Sequence, residues 1–85
     1  MQKLSKKEVD QLIEEKLRSN VRFIDEGIVG NSLRLASYND GSRFIKYYNK
    51  WFVTQTADED QLFDQAKNKD GTAWYHLMDL LRHCR

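Results

Sequence analysis

Four residues near the C-terminus carry side chains suited to metal ligation or catalysis: His76, Asp79, His83 and Cys84. On a helix, His76, Asp79 and His83 fall on one side at i, i+3 and i+7, and imidazole and carboxylate together suit zinc or another transition metal. Two helical turns separate the histidines, however, or about 10.5 Å of rise, which is too far for one ion to be shared. A solvated face is the simpler expectation, with Asp79 beside His83 at i,i+4. Cys84 next to His83 offers a thiolate nucleophile. Adjacent helical residues point apart, though, and a chain end gives little rigid support. Gly27, Gly30, Gly41 and Gly71 form no G-x-x-x-x-G-K-[ST] phosphate loop and fit turns, a bulge and a cap. The sequence therefore predicts no metal, no cofactor and no catalytic set.

Binding chemistry is concentrated elsewhere, in SLRLASYNDGSRFIKYYNKWFV, residues 32–53. Aromatic and basic residues alternate there with aliphatic ones, the signature of strands whose two faces differ. Between Asn31 and Thr54, Arg34, Arg43, Lys46 and Lys50 stand against Asp40 alone. A turn at Asn39–Gly41 with Gly41 as the bulge pairs Tyr38 with Ser42, Ala36 with Phe44, Leu35 with Ile45 and Leu33 with Tyr47. A shorter Asp-Gly turn would instead set Leu35 against Lys46. The first register puts Leu33, Leu35, Ile45, Tyr47, Trp51 and Val53 on a core face. The opposite face carries Arg34, Tyr38, Phe44, Lys46, Tyr48, Lys50 and Phe52, and is the predicted interaction face. If the strand breaks at Tyr48–Lys50 into a further hairpin, Trp51 and Phe52 exchange faces.

The elements that would position this face follow from capping and period. Ser5 and Glu8 form a capping box, with Leu4 and Val9 as its hydrophobic staple. Val9, Leu12, Ile13 and Leu17 then recur at helical spacing, predicting a helix over 5–19 that ends at Asn20. Asp25–Gly27 reads as a turn between strands 21–25 and 27–38, with Gly30 as a bulge or bend in the second. Thr56 and Glu59 open a short helix that Gly71 closes, and Trp74, Leu77, Met78 and Leu81 mark a core-facing C-terminal helix. The expected fold is α+β, a single domain over 1–85. It comprises an N-terminal helix, a three- or four-stranded antiparallel meander, then a short helix and a C-terminal helix packed on one sheet face.

The totals narrow the function classes. Fourteen basic residues against 13 acidic leave a net charge of +1, so no global field steers the chain toward nucleic acid or membrane. One cysteine excludes an internal disulfide and fits a reducing compartment. There is no apolar run of roughly 20 residues, and MQKLSKKEVDQ lacks the apolar segment of a signal peptide. A cytoplasmic protein with no membrane partner is expected. The C-terminal helices open on ADEDQ and GTAWYH, without a Lys or Arg to grip phosphates. The leading expectation is a small non-catalytic regulatory or accessory module that binds a protein partner, or a second copy of itself as a homodimer, through the aromatic and basic face. Single-stranded nucleic acid or RNA on the same face is the first alternative, because rings stack bases while cations track phosphates. A subunit of an enzyme completed by another chain is the second.

Overall fold

The computed structural model describes residues 1–84 and is α+β, with three helices and a five-stranded antiparallel sheet. The elements in chain order are β1 (Gln2–Leu4), α1 (Lys6–Arg18), β2 (Phe23–Val29), β3 (Leu33–Tyr38), β4 (Arg43–Tyr47), β5 (Lys50–Val53), α2 (Ala57–Lys67) and α3 (Ala73–His83). Across the sheet the order is β1-β5-β4-β3-β2, so β2 and β1 are its edges. The strand count exceeds the expected three or four. Gln2–Leu4, read as the approach to the first helix, adds to β5 in the register Gln2–Val53 and Leu4–Trp51.

The hairpin β3–β4 has the register the apolar pattern demands: Leu33 faces Tyr47, Leu35 faces Ile45 and Ala36 faces Phe44. Tyr38 N–H donates to the Ser42 carbonyl across the turn, where Gly41 takes φ 88°. The first hairpin departs from expectation. Asp25–Gly27 lies inside β2, and Gly30–Ser32 makes the turn, with Gly30 at φ 63°. Two contacts explain this. Asp25 is held by Lys67 at 2.9 Å. A Cβ on Gly27 would sit 3.1 Å from the Lys67 side chain, so glycine serves close helix approach there, not a turn. The left-handed residue after α2 is Lys69, at φ 60°, and not Gly71.

The chain does break after β4, and Tyr47 pairs with Lys50 across a two-residue turn. This inverts the last strand relative to an unbroken one. Phe52 joins the core beneath α2 and α3 with Leu33, Leu35, Ile45, Tyr47, Phe63, Leu77 and Leu81, while Trp51 and Val53 turn to the other face. That face is partly covered by α1, whose Val9, Leu12 and Ile13 pack over Phe44, Ala36, Trp51 and Val53. The sheet is thus sandwiched, with α2 and α3 on one side and α1 on the other.

The helix starts are built as their sequences specify. Ser5 Oγ accepts from Glu8 N–H while Glu8 returns a carboxylate to Ser5 N–H, both at 3.1 Å. Thr56 Oγ1 accepts from Glu59 N–H at 3.2 Å. The second Glu59 carboxylate oxygen meets the amino group of Met1, which ties the start of β1 to α2.

Candidate interaction surface

The α1 face of the sheet is organised in rows of side chains. One row reads Ile28–Arg34–Lys46–Trp51–Leu4 and the next Glu26–Ala36–Phe44–Val53–Gln2. At the far end Phe23 pairs with Tyr38. Helix α1 lies over the Phe44 row and leaves the β2–β3 side of the Arg34 row open. Ile28, Arg34, Lys46 and Tyr48, with the Gly30–Ser32 turn, line a groove of about 400 Å³ there.

The groove is electrostatically unbalanced. Arg34 and Lys46 stand directly opposite each other on neighbouring strands, an arrangement that destabilises a sheet. Arg34 is 60% exposed, and among the described residues its one ion pair is a long 3.9 Å contact with Glu26. Among the described residues Lys46 has no ion pair, and its ammonium lies 5.2 Å from the Trp51 ring centroid. Lys6 approaches the same ring at 5.6 Å. Two other charges of the central stretch, Arg43 and Asp40, are absorbed elsewhere. Arg43 lies on the opposite face and bonds Asp60 at 3.2 Å and Asp64 at 3.1 Å. Its pKa is raised, chiefly by the Asp64 hydrogen bond.

Asp40 is taken by Lys16, which donates to Asp40 Oδ2 at 2.7 Å and Ser42 Oγ at 2.6 Å while lying over the Tyr38 and Phe44 rings. The Lys16 hydrogen bond, joined by those from Ser42, holds the Asp40 carboxyl well below the usual carboxylate range.

Tyr48 stands at the groove mouth, 65% exposed, with its backbone at φ 54°. Two-residue hairpin turns with a positive φ at the first central position favour glycine there. Its ring meets Tyr47 edge-on at 4.7 Å.

The seven residues of the expected interaction face therefore separate. Arg34, Lys46 and Tyr48 come together in the groove. Tyr38 lies at the far end of the strip, half-buried, and edge-on to Phe23 and Phe44. Phe44 is buried beneath α1. Lys50, opposite Tyr47, falls in the row of the other face and is exposed. Phe52 is fully buried in the α2–α3 core, because the turn at Tyr48–Asn49 flips its strand.

Three residues of the open strip were not legible as such. Ile28 and Phe23 sit on the edge strand β2 and are 58% and 52% exposed on its α1 side. Leu17 belongs to the helical stripe by spacing, yet it is 73% exposed because α1 extends past the edge of the packed face. With Ile13, Val21, Phe23 and Tyr38 it lines a second hollow of about 330 Å³.

His76, Asp79 and His83 are all exposed, and His83 Nδ1 lies 2.7 Å from the Asp79 carbonyl. Among the described residues no three His, Cys, Asp or Glu side chains cluster to hold a metal ion. Cys84 is half-buried and its thiol contacts the Met1 carbonyl at 3.4 Å. No helix among the described residues is long and apolar enough to cross a membrane. No protein family, curated protein or solved structure matches the chain.

Proposed function

We propose that the protein is a non-catalytic accessory module that acts by binding another protein through the open strip of its sheet, with Arg34, Lys46, Tyr48 and Ile28 at one end. The observation that carries this reading is the uncovered like-charge pair Arg34–Lys46 beside Tyr48. Two adjacent cations on a sheet face and a left-handed non-glycine residue each cost stability. An acidic partner offsets the first, and contact with the exposed ring gives a use to the second.

A protein partner suits the strip better than single-stranded nucleic acid. Base stacking relies on several accessible rings. Of the aromatic residues expected on this face, Phe44 and Phe52 are buried and only Tyr48 is fully presented. Two groove cations also give a weak electrostatic grip.

The test places a photo-crosslinking amino acid at position 48 in cells that make the protein, with position 58, exposed in the first turn of α2 on the other side of the sheet, as the control. A discrete protein adduct at 48, absent at 58 and lost on Arg34→Glu, supports the reading. Adducts to nucleic acid, or adducts indifferent to Arg34→Glu, overturn it.

A further inference from the structure

We infer that the strip takes an extended acidic segment whose one bulky apolar side chain seats in the hollow beside Leu17 and Phe23. This deepens the proposed function and rests on the strip being a protein-binding surface. The hollow and the groove lie on the same sheet face, at opposite ends of β3. Its floor is Tyr38 and Ile13, and its walls are Leu17 and Phe23, the latter 52% exposed. Two large apolar side chains standing in solvent on either side of a hollow of about 330 Å³ mark a seat for a third.

The charges identify the chemistry of the segment. Arg22, at the rim of the hollow, is exposed and has no ion pair among the described residues. At the other end stand Arg34 and Lys46. Glu26 is the one acid in the rows between, and Arg34 already leans toward it. Cations at both ends, with the apolar hollow beside Arg22, complement a segment that carries carboxylates and one apolar anchor.

The spacing follows from the strand. From Tyr38 to Arg34 is four residues of β3, about 13–14 Å at strand rise. An extended segment lying beside α1, over β2 and the β2 side of β3, repeats its facing side chains every second residue. A carboxylate that reaches Arg34 and Lys46 is therefore the fourth residue from the anchor. The second residue faces the Glu26–Ala36 row and must be small and uncharged, because an acid there would meet Glu26.

The experiment titrates the isotopically labelled full-length protein with three peptides and follows its amide resonances. The first has a central Trp with Glu at the fourth position on each side and Gly or Ser between. The second replaces Trp with Ala. The third moves each Glu to the second position. The inference expects shifts at Leu17, Phe23 and Tyr38 together with Arg34 and Lys46 for the first peptide. It expects at least tenfold weaker binding for the other two, and for the first peptide against Leu17→Ser. Leu17 is exposed, so that variant keeps its fold, which its unchanged Tm verifies. Equal binding of the Trp and Ala peptides, confined to Arg34 and Lys46, overturns the anchored segment and leaves the proposed function standing. Equal binding of the two Glu spacings overturns it also. Binding of none of the three overturns the segment chemistry, while the adduct at position 48 judges the proposed function separately.

Discussion

Replacing Tyr48 separates what the backbone needs from what the side chain does. The residue holds φ 54° in a two-residue turn, where a left-handed conformation costs an L-residue roughly 1–2 kcal/mol and glycine almost nothing. Glycine gives back about 0.5–1 kcal/mol through the extra freedom of its unfolded chain. Tyr48→Gly should therefore be more stable than Tyr48→Ala by about 0.5–1 kcal/mol. Against the wild type each loses the edge contact with Tyr47, about 0.5 kcal/mol for a ring so exposed. The Gly variant then lies within roughly 0.5 kcal/mol of the wild type, and the Ala variant clearly below it.

For a domain this small, 1 kcal/mol moves Tm by about 4–8 °C, so the Gly–Ala gap is a few degrees. Urea melts with an unchanged slope give the same ordering independently. Affinity for the Trp-centred peptide should fall equally in both variants, because both lack the ring. If Ala proves as stable as Gly, position 48 bears no backbone strain and the argument from it fails. If binding follows stability instead of the ring, Tyr48 is a turn residue and nothing more.

Three other perturbations probe the remaining framework. Phe52→Ala should cost about 3–5 kcal/mol and Trp51→Ala roughly half of that, in urea melts; the reverse order would mean that β5 presents the wrong face to α2 and α3. Lys16→Met keeps the stem over Tyr38 and Phe44 but removes the hydrogen bonds to Asp40 and Ser42, for a loss of about 1.5–3 kcal/mol at neutral pH. Asp40 titrates lower in the folded state than the unfolded value of about 3.9, so its contribution is present above that pH and is lost as pH falls through and below it. The wild type should lose stability from about pH 4 downward and Lys16→Met distinctly less; parallel pH profiles would contradict the Lys16–Asp40 link. Arg34→Gln should leave stability unchanged or raise it by a few tenths of a kcal/mol, since it removes a like-charge neighbour, while weakening peptide binding. A destabilised Arg34→Gln would show that the 3.9 Å Glu26 pair, not an external anion, is the purpose of Arg34.

What could be read from the sequence was whatever a local pattern fixes. The capping box at Ser5, the Asn39–Gly41 turn and the apolar stripe of α3 each constrain a few neighbouring residues, and each forms as read. The β3–β4 register followed from matching apolar partners, and the condition for Phe52 to change faces was visible as a break at Tyr48–Lys50. The short β1 was not legible, because three residues acquire strand character only through β5, which lies far along the chain. The misplaced first turn has the same origin. Asp25 and Gly27 look like turn residues in isolation, but Lys67 on a helix forty residues later decides their conformation. The exposure of Leu17 depends on where α1 stops relative to the sheet, which no helical periodicity contains.

The open strip is a consequence of how α1 is fastened, and this links the fold to its proposed use. Only Ser5 separates β1 from α1, so the helix must begin at the β1 edge, next to the Trp51 row. Its other end is drawn to the β3–β4 turn by Lys16 on Asp40 and Ser42. A helix of 13 residues, about 20 Å long, pinned at those two points crosses the sheet obliquely. It covers Phe44 and Val53 and passes by Ile28 and Arg34. The chain then returns through Val21 to begin β2 beside Tyr38, which forms the hollow under Leu17. The hollow end of the strip thus depends on these two fastenings. Weakening the Lys16 clamp should disturb the hollow beside Leu17 before it disturbs the groove at Arg34, because the latter is set by strand register alone.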